Sequence, residues 1–381
     1  MSAALTREQN DLRDAVADLM AKRSPESEVR RLMTEEIGHD PQVWSEMAAM
    51  GLLGLTTPEE FGGAGAGAAE LAVVSEQMGR ALLCGPYLST AVLTPYLLLA
   101  LDDAAECSNV LPRIAAGEMI ATVAFAEVRR GAGHSDQPGS ARPPEHPATT
   151  AVGDADGWLL TGQKTFVLDA LAAQRYYIPA QSHSGIAVFA VERGAAGLGV
   201  APLTTVDQTR KQGSLTLADT PARLVGGIGA GAAALNAALD RAAVALIAEQ
   251  AGGAMHVTAM AADYARTRYQ FGRAIGSFQA VKHMCVDMLL EAQSAVSAAR
   301  HVAAAFDAAE PDRLVDLALA QAYCSDAFVV AAANNIQVHG GIGFTWEHPA
   351  HLYLRRARTN AQIFGDPALH RERYVRLREE S

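Results

Sequence analysis

The chain has 381 residues, half of them hydrophobic and 19% charged, a balance that fits two or three folded domains around a sizeable core and excludes an intrinsically disordered protein. Its 31 Lys and Arg against 42 Asp and Glu leave a net charge of −11. That charge argues against a nucleic-acid polyanion as partner, yet leaves room for local basic patches that hold phosphate groups. The opening MSAALTREQNDLRD carries no apolar core of signal-peptide type. The most apolar stretch, residues 91–101, is short and broken by Thr94 and Pro95, so no membrane insertion is expected. Cys84, Cys107, Cys285 and Cys324 are scattered without metal-type spacing and read as reduced core thiols of a cytoplasmic protein, with no metal site.

Residues 1–117 read as a helical domain. Leu12, Val16 and Leu19 share one face of residues 5–23, and Trp44, Met47 and Met50 repeat the pattern before Gly51. LTTPEEFGGAGAG then forms a turn-rich joint. It connects helices rather than cradling phosphate, because no strand precedes it and no Lys-Ser/Thr follows. Helical character resumes over 68–80 and 89–101.

Residues 118–224 change character: MIATVAFAEV, GWLLTGQKTFVLD, YYIPA, GIAVFAV and GSLTLAD are short β-rich runs separated by turns. They predict a small β-barrel or sandwich, interrupted by the Pro/Gly-rich loop RRGAGHSDQPGSARPPEHP. Residues 225–381 are helical again. The run 235–268, with Leu239, Leu246, Met255 and Met260, exceeds the usual ~8–20 residues and suggests a bundle. Further helices are expected over 278–308, from Pro311 to about Val338, and over 346–364. The fold class is therefore mainly α with a middle β domain, in the order N-terminal helical domain, small β-barrel, C-terminal four-helix bundle.

Two polar clusters interrupt the bundle. In YARTRYQFGRAIGSFQ, residues 264–279, Arg266, Arg268 and Arg273 flank Gln270, Phe271 and Gly272. Guanidinium groups grip phosphate through paired N–H donors, and an aromatic beside them packs on a flat ring; the plainer reading is a solvated helix end with cations near the dipole. In NNIQVHGGIGFTWEH, residues 334–348, Gly340, Gly341 and Gly343 let backbone N–H groups approach a ligand and Gln337 suits a heterocycle edge. The plainer reading there is a helix stop with a tight turn.

Together the clusters, their spacing and the domain order resemble the acyl-CoA dehydrogenase family over nearly the whole chain. RYQFGRAIGSFQ and QVHGGIGFTWEHPAHLYLRRAR are the most specific parts. The resemblance implies an FAD-dependent enzyme, usually tetrameric, that oxidises an acyl-CoA thioester to its trans-2-enoyl form. A carboxylate takes the α-proton while the β-hydrogen leaves as hydride, and the electrons pass to an electron-transfer flavoprotein. Each FAD in such enzymes is shared: one chain's middle domain holds the flavin ring and the neighbour's bundle holds the pyrophosphate and adenine. By match, Arg268 and Gln270 would face the pyrophosphate, with Phe271, Phe278 and Gln279 nearby, and Gln337 with the Gly340–Gly341 turn would lie against the adenosine end.

The other half departs from the family pattern. Where the family usually has Thr-Glu-Pro and then Gly-Ser-Asp, this chain reads AEVRRGAGHSD, so Ala126 replaces a flavin-bonding hydroxyl and Arg129 and Arg130 enter a longer loop. The strand typically reading Lys-x-Trp-Ile-Thr is here Lys164-Thr165-Phe166-Val167-Leu168. Phe166 can still pack on a ring, but Leu168 cannot hydrogen-bond the flavin. QIFGD then stands where many members read Gln-Ile-Tyr-Glu-Gly, which puts Gly365 at the position of the base. The family's second station for the base, twenty-six residues before Arg268, is Ala242.

Neither station carries a carboxylate, and no nearby group is an obvious substitute. Asp366 suits a helix N-cap before Pro367. Glu249 lies about 10 Å too far along the helix by its rise. Asp240 matches a position near the CoA end, and His339 and His370 suit core packing or solvent exposure. Some bacterial members acting on steroid side-chain CoA thioesters pair a chain that supplies base and ring pocket with one that lacks the base yet completes the FAD site. This sequence fits the second role, with a steroid-type acyl-CoA as the substrate class. Two rival readings stay open: a self-sufficient homotetramer using Asp366 or Glu249, and a flavin-free scaffold or acyl-binding protein.

Overall fold

A computed structural model describes residues 5–127, 146–154 and 157–379. Six helices build the first region: α1 (Arg7–Arg23), α2 (Glu26–Thr34), α3 (Pro41–Ala49), α4 (Ala68–Arg80), α5 (Thr94–Leu101) and α6 (Ala104–Ala115). Local chemistry sets their starts. Thr6 and Gln9 form a reciprocal capping box at α1, and Asp40 caps α3 with Pro41 in the first turn. The backbone N–H groups of Ala68 and Ala69 donate to Asp307, 2.6 and 2.9 Å away, so a residue of the bundle caps α4. The stretch before α5 is a π-helical turn, Tyr87–Leu93, rather than the continuous α-helix expected from residue 89.

The middle region holds β1 (Ala121–Val123), β2 (Thr150–Asp154), β3 (Gly157–Leu168), β4 (Arg175–Ser182), β5 (Gly185–Glu192), β6 (Leu198–Pro202) and β7 (Gln212–Val225). The strand order is β1-β4-β2-β3-β7-β5, and β5 pairs back onto β4. The sheet therefore closes into the small barrel expected from the sequence, with β6 on the flank of β7. Trp158, Leu160, Tyr176, Ile178 and Phe189 fill its interior. A bulge breaks the β3–β7 register between Lys164 and Val167, and Phe166 there sits at φ +51°, a conformation that bulky side chains rarely adopt.

The last region comprises α7 (Gly231–Thr267), the hairpin β8 (Tyr269–Gln270) and β9 (Arg273–Ala274), α8 (Gln279–Asp307), α9 (Arg313–His339), α10 (Ala350–Asn360) and α11 (Pro367–Glu379). The expected fourth helix over 346–364 is shorter than its pattern suggested. Gly340–Phe344 is a 3-10 turn, Thr345 leaves the helix in extended backbone, and α10 begins only after Pro349. Both α7 and the span Arg313–Phe344 are long and apolar enough to cross a bilayer, but most of each is buried inside the molecule, as befits bundle-core helices.

The largest core joins the first region to the bundle, from Val16 and Leu53 through Leu97 to Ala243, Ile247 and Leu317. It depends on a close crossing of α4 and α7. A methyl group on Gly79 would lie 2.0 Å from the Glu249 carbonyl oxygen, and one on Gly252 would lie 2.0 Å from that of Glu76. Only glycine lets the two backbones approach so closely.

Candidate functional site

The structure brings the two polar clusters to one end of the bundle. The ends of α7 and α9 and the start of α8 meet through Ala261, Ala265, Met288 and Val338, and Tyr264 stacks on His339 with ring centroids 4.3 Å apart. His339 is fixed further by Nδ1 at 2.8 Å from the Asn335 carbonyl. Burial pulls its pKa down against that bond, so it is a neutral packing group.

Between these helix ends the β8–β9 hairpin projects outward. Its two turn residues, Phe271 and Gly272, both have positive φ, +54° and +76°, the requirement of a type I′ turn. Phe271 holds that strained backbone with its side chain 91% exposed, an arrangement characteristic of binding residues rather than core. Phe278 meets it edge-on at 6.1 Å, and the Arg273 guanidinium lies over Phe278, 4.0 Å from the ring centroid. Arg266 is occupied by Asp263 at 2.7 Å. Arg268 has its backbone pinned on both sides, to Tyr264 and to Ile275, while its exposed side chain makes no ion pair among the described residues. Gln270, Gln279, Gln337, Gly340 and Gly341 are exposed beside it, and nothing stands within 4 Å of a methyl group built on Gly340 or Gly341. Tyr269, Ile342, Phe344 and Trp346 add exposed apolar surface. This end thus offers a free guanidinium, amide side chains, open backbone and aromatic faces, a donor set that suits a pyrophosphate and an adenine.

The ring side is built differently. Glu127 and Lys164, the charged pair of the two family segments, meet at 2.6 Å, and the Thr165 N–H donates to the Ala126 carbonyl at 2.9 Å, so the backbone frame is kept. The two positions that usually carry hydroxyls are apolar and closed. Ala126 is 6% exposed and Leu168 5%, both within the main core cluster together with Phe125, Ile363 and Phe364. Phe125 packs against Phe364 with centroids 6.3 Å apart. These residues offer no hydroxyl to a heterocycle, and of the matched strand segment only Thr165 and Phe166 keep partly exposed surface, so this side suits a flavin ring less well than the opposite end suits phosphate. Arg129 and Arg130 lie outside the described residues.

The positions of the base are equally closed. Ala242 is fully buried. Gly365 has φ +118°, and a methyl group there would come within 3.0 Å of Leu369 and 3.1 Å of His370. Asp366 accepts from the Leu369 N–H at 2.8 Å at the start of α11, the capping geometry its sequence suggested. Asp240 is paired with Arg373 at 2.7 Å, and His370 Nε2 lies 3.1 Å from the Gly365 carbonyl.

Glu249 lies in a buried ionic knot that the sequence did not disclose. Both its oxygens accept from Arg210 at 2.6 Å, and it also accepts from Arg356 at 2.9 Å and Asn360 at 3.0 Å. Arg356 reaches on to Asp207 at 3.0 Å and to the Thr209 hydroxyl at 2.7 Å. Burial pushes the Glu249 carboxyl up, but the Arg210 and Arg356 guanidiniums outweigh it and hold it at about 2. So strongly stabilised a carboxylate is a weak proton acceptor. The space beside it, lined by Ser75, Met78, Tyr87 and Ala245, measures about 20 Å³, room for one water and not for an acyl chain.

A closed small barrel between two helical regions, with phosphate-type donors at one end of a long bundle, is the architecture of the acyl-CoA dehydrogenases. The chain matches the acyl-CoA dehydrogenase N-terminal domain over residues 6–118 and the C-terminal domain over 229–376. It is 32% identical over 381 residues to acyl-CoA dehydrogenase IpdE2 of Mycolicibacterium smegmatis, covering 99% of both chains. Among solved structures it resembles the ChsE4-ChsE5 complex from Mycobacterium tuberculosis, at 28% identity with a TM-score of 0.88 over the whole of both chains. A variant of the Tcur3481-Tcur3483 steroid ACAD is 30% identical with a TM-score of 0.84 over 98% of each chain. The protein belongs to the acyl-CoA dehydrogenase family, a family of FAD-dependent oxidoreductases.

Proposed function

We propose that this chain is the base-lacking subunit of a heteromeric acyl-CoA dehydrogenase. It completes the FAD site of a homologous partner that carries the catalytic Glu, and the pair desaturates a steroid-type acyl-CoA between Cα and Cβ. The observation that carries the reading is the contrast between an open, unpartnered cofactor grip around Arg268 and Phe271 and a ring side closed by Phe125, Ala126, Leu168 and Phe364. Similarity to a two-chain complex and to a steroid ACAD adds weight to a paired assembly and to a bulky acyl group.

FAD bound between the two chains supplies the acceptor for the β-hydride. In this chain Arg268 would neutralise phosphate charge, Gln270 and Gln337 would hydrogen-bond polar edges, and Phe271 and Phe278 would cover an apolar face. The α-proton goes to the partner's carboxylate, and the electrons leave to an electron-transfer flavoprotein. We place the assembly in the cytoplasm, with the cysteines reduced.

The test is co-expression with a homologous subunit that carries the Glu, followed by a count of FAD per chain. About one FAD per two chains, with thioester oxidation by the pair and none by the lone chain, is the expected outcome. A lone chain that is well folded, saturated with FAD and active would end the proposal. Loss of that lone-chain activity on Asp366→Asn or Glu249→Gln would then point to a self-sufficient enzyme. A colourless protein both alone and with every partner would point to a scaffold.

A further inference from the structure

Between α1, the start of α2, the C-terminal end of α4, the middle of α7 and α10 lies an open cavity of about 360 Å³. Much of its wall is hydrocarbon, from Met20, Leu82, Met260 and Leu352. Hydrogen bonds fasten its corners. The Tyr353 hydroxyl donates to the Arg80 carbonyl at 2.8 Å, and the Ser24 hydroxyl donates to the Ala81 carbonyl at 3.1 Å. The His256 ring stacks on Tyr353 at 4.9 Å; burial, with Arg80 adding repulsion, pushes its pKa down to about 4, so it is neutral near pH 7.

The cavity's charge is not balanced. Glu26 lines the rim but is engaged by Arg30 at 2.7 Å. Glu76, one turn before Arg80 on α4, is engaged by Arg300 at 3.2 Å. That leaves the half-buried Arg80 with no carboxylate partner among the described residues. A cation set in a largely apolar wall favours an anion that brings its own hydrocarbon, and the volume lies at the lower end of small-molecule sites.

We propose that this cavity binds an amphiphilic organic carboxylate of medium chain length, with the carboxylate on the Arg80 guanidinium and the hydrocarbon against Met20, Leu82 and Leu352. The occupant is a free acid, because a thioester carbonyl carries no charge to answer Arg80. None of the residues lining it is among the matched cofactor residues around Arg268.

Isothermal titration calorimetry of the full chain with decanoate and with decan-1-ol tests this, with thermal melts confirming that each variant is folded. The expected result is saturable one-site binding of decanoate, with the alcohol and the Arg80→Gln variant each weaker by roughly tenfold or more, the size of a lost charge-assisted hydrogen bond. Ala17→Phe, which fills the cavity from the half-buried face of α1, should abolish binding while FAD retention by the co-expressed pair stays unchanged. No saturable binding of decanoate, equal binding of acid and alcohol, or unchanged affinity in either folded variant would overturn the proposal.

Discussion

The two halves of the family's cofactor site differ here in what their side chains already touch. At the Arg268 end the candidate ligands are exposed and the hairpin is held in strained backbone with little packed against it. At the Leu168 side the two positions that have lost a hydroxyl, Ala126 and Leu168, are buried in the chain's own core, with Thr165 and Phe166 between them half-buried. On the proposed function, the open surface docks the cofactor and the packed positions serve the fold. Substitutions should therefore act oppositely on the two sides: stability without cofactor on the packed side, cofactor without stability on the open one.

The largest effects are expected in the ionic knot and at Phe364. Glu249→Gln would leave Arg210 and Arg356 as under-compensated buried cations and should cost about 3–5 kcal/mol of unfolding free energy, read by urea titration. Its pH signature has a definite sign. The folded-state pKa is depressed from its ordinary 4.5 to about 2, so the stabilisation is fully present above about 4.5 and is lost as pH falls toward 2. The Gln variant should lose that part of the acid dependence.

Phe364→Ala should cost about 3–5 kcal/mol by opening a cavity against Phe125, and the lone chain should remain free of flavin. A yellow, FAD-saturated Phe364→Ala chain would break the comparison, because it would show that packing alone kept the ring out. On the open side, Arg268→Gln should weaken FAD retention by the paired complex roughly tenfold or more, with the melting temperature of the lone chain unchanged. Phe271→Gly should also weaken retention while relieving the positive-φ strain, so the lone chain should be slightly more stable. The smallest effect is at the α11 cap: Asp366→Ala should cost about 1 kcal/mol and Asp366→Asn far less, neither altering turnover by the pair. A turnover loss in the Asn variant, which keeps the cap, would reveal chemistry at Asp366.

The sequence disclosed what is local. Hydrophobic period, turn residues and the Arg-Tyr-Gln-Phe-Gly run marked the helical, β and helical regions and the exposed hairpin at the bundle end, because each depends on neighbours a few residues apart. The fourth bundle helix was overextended because residues 346–348 carry helical periodicity but follow a glycine turn and precede Pro349. The knot was hidden because its members stand far apart: Arg210 is 39 residues from Glu249, and Arg356 is 149 from Asp207. Glu249 alone looked like a stray acid; only folding supplies its two arginines. The Phe125–Phe364 contact and the pairing of β5 with β7 are non-local in the same way.

Arg356 also reaches the Leu83 carbonyl just after α4 at 3.2 Å, so one guanidinium ties together the first helical region, the β6–β7 loop and the bundle. No segment can detach without stranding a charge in a dry interior. Differential scanning calorimetry of the lone polypeptide should accordingly give a single heat-absorption peak rather than three, and limited proteolysis should release no stable fragment ending near residue 117 or 224.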